Sequence, residues 1–192
     1  MRAPEHVRRL FFALWPTTAM QAALLAAARG TLASLRSGRP VACENLHLTL
    51  AFVGSVPESL VRSLEETARG LSQQSSGSRT AVPAGAALDV SLDAIEYWPR
   101  SEILCAAASH ASDEAAAFAE TLKQALLSRG FAPDLKPFRA HVTLARQVRG
   151  RPLERTLRAV MWRFTDFALV ESHSRRGGSL YSVVASWPLY SA

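Results

Sequence analysis

A chain of 192 residues with 48% apolar and 20% charged side chains can bury a core of its own, which excludes wholesale disorder. Its longest apolar runs, Leu10 to Pro16 and Leu46 to Val53, fall well short of the roughly 20 residues a membrane helix requires, and the run after MRAPEHVRRL is too short for a secretory signal. The net charge of +6 is carried almost wholly by arginine, since only Lys123 and Lys136 are lysines, and a guanidinium suits phosphate and stacks on bases, so the balance leans towards an anionic partner.

In chain order, RLFFAL over Arg9 to Leu14 reads as a short buried strand closed by Trp15-Pro16. Thr18 with Gln21 three residues on forms a capping box for an Ala- and Leu-rich helix running to about Arg29, with Leu35 as its outer limit. NLHLTLAFVG then alternates, which puts Leu46, Leu48, Leu50 and Phe52 on one face and His47, Thr49, Ala51 and Val53 on the other. Pro57 suits the first turn of a second helix carrying Leu60, Val61, Leu64, Ala68 and Leu71, and SQQSSGS is the candidate linker after it. Strands are expected near Gly85 to Val90 and at Glu102 to Ala107. Ser112 then caps a third helix that Gly130 stops. FRAHVTLAR alternates again, with His141 and Thr143 on one face and Val142 and Leu144 on the other, and two more strands come after it at Phe164 to Val170 and Leu180 to Ala185. The pattern is α+β, in two similar halves, and reads as one domain over residues 1–192.

The tetrapeptide His-x-Thr-Leu occurs once in each half, at residues 47–50 and 141–144, as an internal duplication produces. On a strand, residues two apart point the same way, so each copy presents one imidazole and one hydroxyl while its leucines anchor the opposite face. Two such strands across a groove supply two imidazoles, whose ordinary pKa near 6.5 lets one stay neutral as the other is charged. In-line displacement at phosphorus needs such a pair, a base for the nucleophile and an acid for the departing oxygen, with hydroxyls holding the non-bridging oxygens. His6, His110 and His173 read as solvated residues of a tail or loop. Cys43 and Cys105 lack metal or disulfide spacing, no acidic or cysteine residue stands two positions from either motif histidine, and no G-x-S-x-G elbow is present, so no metal, cofactor or serine triad is expected. The unpaired cysteines fit a reducing cytoplasm.

Two H-x-[ST] motifs in a two-lobed chain resemble the 2H phosphoesterase superfamily, and RLFFALWP, ENLHLTLAFVG, FRAHVTLAR and the closing FALVES, GGSLY and WPL segments resemble the RNA 2',3'-cyclic phosphodiesterases, historically called 2'-5' RNA ligases. The resemblance implies two pseudo-symmetric lobes, each an antiparallel sheet backed by helices, around a central groove. It implies that His47 donates a proton and His141 accepts one, that Thr49 and Thr143 hold the phosphate, and that Arg146 lies over the nucleobase opposite Phe11 or Phe12, of which alternation lets only one face the groove. Ala140 departs from the pattern, since similar sequences carry Pro before the second histidine. The basic residues Arg149, Arg151, Arg155 and Arg158 are candidates for an RNA path, with a solvated face as the simpler reading.

The expected function is metal-independent hydrolysis of RNA 2',3'-cyclic phosphate ends, or of nucleoside 2',3'-cyclic phosphates, to 2'-phosphomonoesters, with weak reverse 2'-5' ligation, by a cytoplasmic monomer without contact to membranes. The rivals are another branch of the superfamily, acting on a cyclic nucleotide, ADP-ribose cyclic phosphate or a 2'-5' oligonucleotide, and a non-catalytic RNA-binding module.

Overall fold

The computed structural model of the chain describes residues 5–73, 87–110, 113–153, 155, 157–175 and 178–189. In order these form β1 (Val7–Leu14), α1 (Thr18–Ala27), α2 (Arg29–Ala33), β2 (Arg39–Pro40), a 3-10 turn (Cys43–Asn45), β3 (Leu48–Pro57), α3 (Glu58–Gln73), β4 (Leu88–Leu92), β5 (Ala94–Trp98), β6 (Ile103–Ala107), α4 (Asp113–Ser128), β7 (His141–Arg146), β8 (Val160–Phe164), β9 (Asp166–Arg175) and β10 (Gly178–Pro188).

Two antiparallel four-stranded sheets carry the architecture, one ordered β10-β9-β1-β3 and the other β2-β7-β6-β5, with β4 and β8 as a separate pair. The expected α+β class with two antiparallel sheets is met. The halves of the sequence, however, do not each keep to one sheet: β9 and β10 from the second half complete the first sheet, and β2 from the first half edges the second. One apolar cluster runs through both, from Leu10, Phe12 and Leu48 to Leu104, Val142 and Leu144, with Leu64 of α3 and Leu122 of α4 packed into it.

Several expected boundaries shift for local reasons. Thr17, not Thr18, caps α1, because its extended backbone lets its hydroxyl accept the Met20 N–H at 3.3 Å. That leaves Gln21 free of a capping box, and its buried amide instead donates to the Leu46 carbonyl at 3.1 Å. Pro57 closes β3 rather than opening α3, and Leu60 lies on the solvent face of that helix. β9 and β10 pair as one long antiparallel ladder, preceded by β8, where shorter strands were expected, so His173 lies on a strand, with its Nε2 3.1 Å from the Ser182 hydroxyl, and not in a loop. Strand β5 was not expected at all. Most of SQQSSGS, Gly85, Ser112 and Arg176 lie outside the described residues.

The larger correction concerns alternation. β3 carries two bulges against β1: Phe12 pairs with Ala51 and Ala13 with Thr49, leaving Leu50 unpaired, and Leu10 pairs with Gly54 and Phe11 with Phe52, leaving Val53 unpaired. A bulge inserts one residue and flips the parity of the residues beyond it. Leu50 and Ala51 therefore both enter the core, and Phe52, expected there, turns out to the opposite face. β7 repeats the device, since Leu104 pairs with Ala145 and Cys105 with Thr143, leaving Leu144 unpaired. In HLTLAF and HVTLAR alike, His and Thr face one side, Leu and Ala are both buried, and the sixth residue, Phe52 or Arg146, returns to the side of the histidine.

Candidate active site

The two sheets meet at a groove that receives both motifs. One cavity of about 580 Å³ is lined by His47, Thr143 and Arg146 among others, and a second of about 350 Å³ by His47, Thr49, Phe52 and Arg146. His47, Arg146, Ser179 and Tyr181 line both, so the two form one cleft. His141 shares the strand face of Thr143, and it lies near enough to His47 for its charge to oppose protonation there. His47, Thr49 and Thr143 thus line the cleft directly, and His141, 94 positions from His47, stands close by on the strand that carries Thr143 without lining either cavity itself.

Each imidazole is gripped in the same way. Nδ1 of His47 donates to the carbonyl of Asn45 at 2.7 Å, and Nδ1 of His141 to that of Arg139, also at 2.7 Å. A carbonyl only accepts, so in each neutral ring the proton sits on Nδ1 and Nε2 is left to take or give a proton at a substrate. A tryptophan packs on each ring: Trp15, at the end of β1, stacks on His47 with centroids 5.4 Å apart, and Trp98, at the end of β5, lies 4.6 Å from His141. Both tryptophans precede a proline, but so does Trp187, which is buried in the core, so the Trp-Pro dipeptide alone does not mark them.

His47 is the more enclosed of the two, with Phe11 at 4.9 Å and Tyr181 at 5.0 Å besides Trp15. Burial, aided by the positive charges of Arg146 and His141, lowers its pKa from 6.5 to about 4. His141 is also lowered, again chiefly by burial and then by Arg139 and Arg146, while the Arg139 carbonyl and Glu96 act in the other direction. Both imidazoles of the free chain are therefore predominantly neutral at pH 7.

Phe11 and Phe12 separate as alternation requires. Phe11 belongs to the groove-side cluster with Ala13, Val170, Phe52 and Tyr181, whereas Phe12 is fully buried against Phe167 and Trp187 and has no access to the site. Arg146 is exposed on the groove, and Thr143 sits above the buried Cys105, which burial pushes up to about 12 and so keeps as a thiol. Arg149 and Arg151 line a separate small cavity with Arg36 and not the groove. Among the described residues the groove's other cations are Arg9, which lies 4.9 Å over the Phe52 ring, Arg39 and Arg175, none of which the motifs marked.

Comparison with known proteins identifies the family and the fold. The family model described as the 2'-5' RNA ligase superfamily matches residues 16–176. The chain belongs to the 2'-5' RNA ligase superfamily. It is 27% identical over 155 residues to the RNA 2',3'-cyclic phosphodiesterase of Escherichia coli (strain K12), a match covering 80% of this chain and 81% of that one. Among solved structures it is similar to Escherichia coli LigT complexed with 3'-AMP, with a TM-score of 0.79 at 24% identity over 95% of this chain and 98% of that one. It is also similar to TT0787 of Thermus thermophilus, with a TM-score of 0.76 at 26% identity over 94% and 97%. The 2H phosphoesterase fold expected from the two motifs is therefore the fold of the chain. Among the described residues no helix is long and apolar enough to cross a membrane.

Proposed function

We propose that this chain, acting as one bilobal domain, is a phosphodiesterase that hydrolyses 2',3'-cyclic phosphate ends of RNA to 2'-phosphomonoesters, with ligation as its weak reverse. The observation that carries the reading is the matched pair of imidazoles, each with Nδ1 committed to a backbone carbonyl, the first lining and the second close beside a cleft that also holds Thr49 and Thr143. His141 takes a proton from water as the water oxygen bonds to phosphorus. The bond from phosphorus to O3' breaks, and His47 delivers its proton to that oxygen. The threonine hydroxyls donate to the non-bridging oxygens, and Arg146 stands near the charge that develops there. At the end the two rings have exchanged protonation states, and solvent restores them. Phe11, Phe52 and Arg146 offer the base two aromatic rings and a guanidinium, which tolerate any base. The reading carries a cytoplasmic monomer that needs no cofactor.

The direction of proton flow has a rival within the same site. The deeper burial of His47 makes it the harder ring to protonate, which favours His47 as base and His141 as acid until a bound anion raises both. Replacing either histidine by Ala should slow turnover of a nucleoside 2',3'-cyclic phosphate by roughly 10²- to 10⁴-fold, and full activity in either variant would refute the pair. An aryl phosphodiester, whose leaving group departs without a proton, assigns the direction. It should restore the rate of His47→Ala but not of His141→Ala, and the opposite result would establish the reversed roles.

A further inference from the structure

The grips on the two imidazoles match, but what stands behind them does not. Behind His47 the anchors are neutral: the Gln21 amide donates to the Leu46 carbonyl, and Asn45 Nδ2 donates to the Ser179 carbonyl at 3.0 Å. Behind His141 stands a charged cluster centred on Glu96 of β5. Its Oε2 accepts the Nε1–H of Trp98 at 2.8 Å, and its Oε1 accepts the guanidinium of Arg139. That guanidinium also lies 5.4 Å over the Trp98 ring. Trp98 packs on His141, and Arg139 supplies the carbonyl that takes its Nδ1–H. Glu96 therefore reaches His141 by two routes, through the ring on its face and through the residue that orients it.

We propose that Glu96 is a positioning residue for His141, holding Trp98 and Arg139 in place with one carboxylate while its charge offsets the guanidinium beside that imidazole. This rests on the reading that His141 exchanges a proton with substrate. The charged groups that act on His141 are Arg139 from the segment before β7, Arg146 from the end of that strand and Glu96 from β5, with the neutral His47 facing it across the groove. Glu96 is the one anion among them. Without it, the two guanidiniums would hold His141 neutral and more weakly basic, a poorer acceptor for the proton of water. Only the second motif carries such a device, which fits a division of labour in which one imidazole sits in an aromatic box and the other is set by charge.

The test is the titration of His141, followed by NMR of labelled histidine in the full chain, for the wild type, Glu96→Gln, Arg139→Gln and the double variant. Glu96→Gln should lower the midpoint by roughly half a unit and Arg139→Gln should raise it by a similar amount, with the double variant near the wild type. The high-pH limb of kcat/KM for a nucleoside 2',3'-cyclic phosphate, set by the more easily protonated ring, should move in the same directions. A purely structural role would not produce opposite displacements from two members of one ion pair. A midpoint unmoved by both substitutions, or moved the same way by both, would overturn the proposal. Should Glu96→Gln fail to fold, Arg139→Gln alone still reads the cluster from its other side, with an unmoved midpoint refuting it. If His141→Ala turns over at full rate, the proposed function fails while the titration still reports on Glu96. If His141→Ala is inactive and the midpoints coincide, this inference alone fails.

Discussion

Acid should destabilise the folded chain through His47 in particular. Phe11, Trp15 and Tyr181 wall its ring, and burial first, then the charges of Arg146 and His141, take its pKa from 6.5 to about 4. Because the folded value is depressed, the unfolded chain binds a proton first as pH falls. The stabilising difference is complete above pH 6.5, shrinks as pH drops, and levels off below about 4, where the folded ring is protonated as well. A gap from 6.5 to about 4, at about 1.36 kcal/mol per pH unit, amounts to about 3 kcal/mol, an upper figure because the ring keeps some contact with groove water. Denaturant unfolding of the wild type and His47→Gln between pH 8 and pH 4 isolates this contribution, since the other titrating groups are shared. The stability of the wild type relative to the variant should fall by about 3 kcal/mol over that window. Parallel curves would show that the ring is not held neutral by its surroundings and would remove the basis for its assigned environment. Inorganic phosphate, by raising the folded ring's pKa towards 6.5, should shrink the decline and make it level off at a higher pH.

Other consequences are as specific. Phe52→Ala should lower kcat/KM by roughly 5- to 150-fold on nucleotide substrates, the equivalent of about 1–3 kcal/mol of lost base stacking, with little change in thermal stability. Phe12→Ala should do the reverse, costing about 3–5 kcal/mol of stability through a core cavity, so unfolding and kinetics measured on both variants test the assignment of faces. Since both imidazoles of the free chain have lowered pKa values, kcat/KM should be highest below pH 6.5 and kcat at higher pH, as profiles of each would record. Turnover should survive chelation by EDTA, and loss of activity restored by a divalent cation would refute a reaction run by histidines alone. Gly38 has φ of +111° with a Cβ position 2.8 Å from Val148 Cγ2, so Gly38→Ala should destabilise the chain by about 1–3 kcal/mol.

The sequence made legible whatever repeats or alternates. The two His-x-Thr-Leu tetrapeptides marked the strands that meet at the groove, and the FF pair of β1 already required one ring to face in and one out. What escaped it is set by pairing between strands distant in sequence. The bulges at Leu50 and Leu144 exist only against β1 and β6, so strict alternation sent Phe52 to the wrong face, although the same reading left Arg146 free to be placed by resemblance. β5 has one clearly apolar inward residue, Ile95, in an otherwise mixed AIEYW, too little alternation to signal a strand, and with it went Glu96 and Trp98. The charge cluster after the second motif drew attention because it is contiguous. The arginines that line the groove, Arg9, Arg39, Arg146 and Arg175, come from four strands and are assembled only by the fold.

The account stands on two imidazoles serving one phosphorus, and 31P NMR of the purified chain incubated with a nucleoside 2',3'-cyclic phosphate tests that directly. The cyclic resonance should convert to a single 2'-phosphomonoester signal, and neither His47→Ala nor His141→Ala should convert it on the same timescale. A 3'-phosphate product, an unchanged cyclic signal with the wild type, or conversion by either variant at the wild-type rate would contradict it.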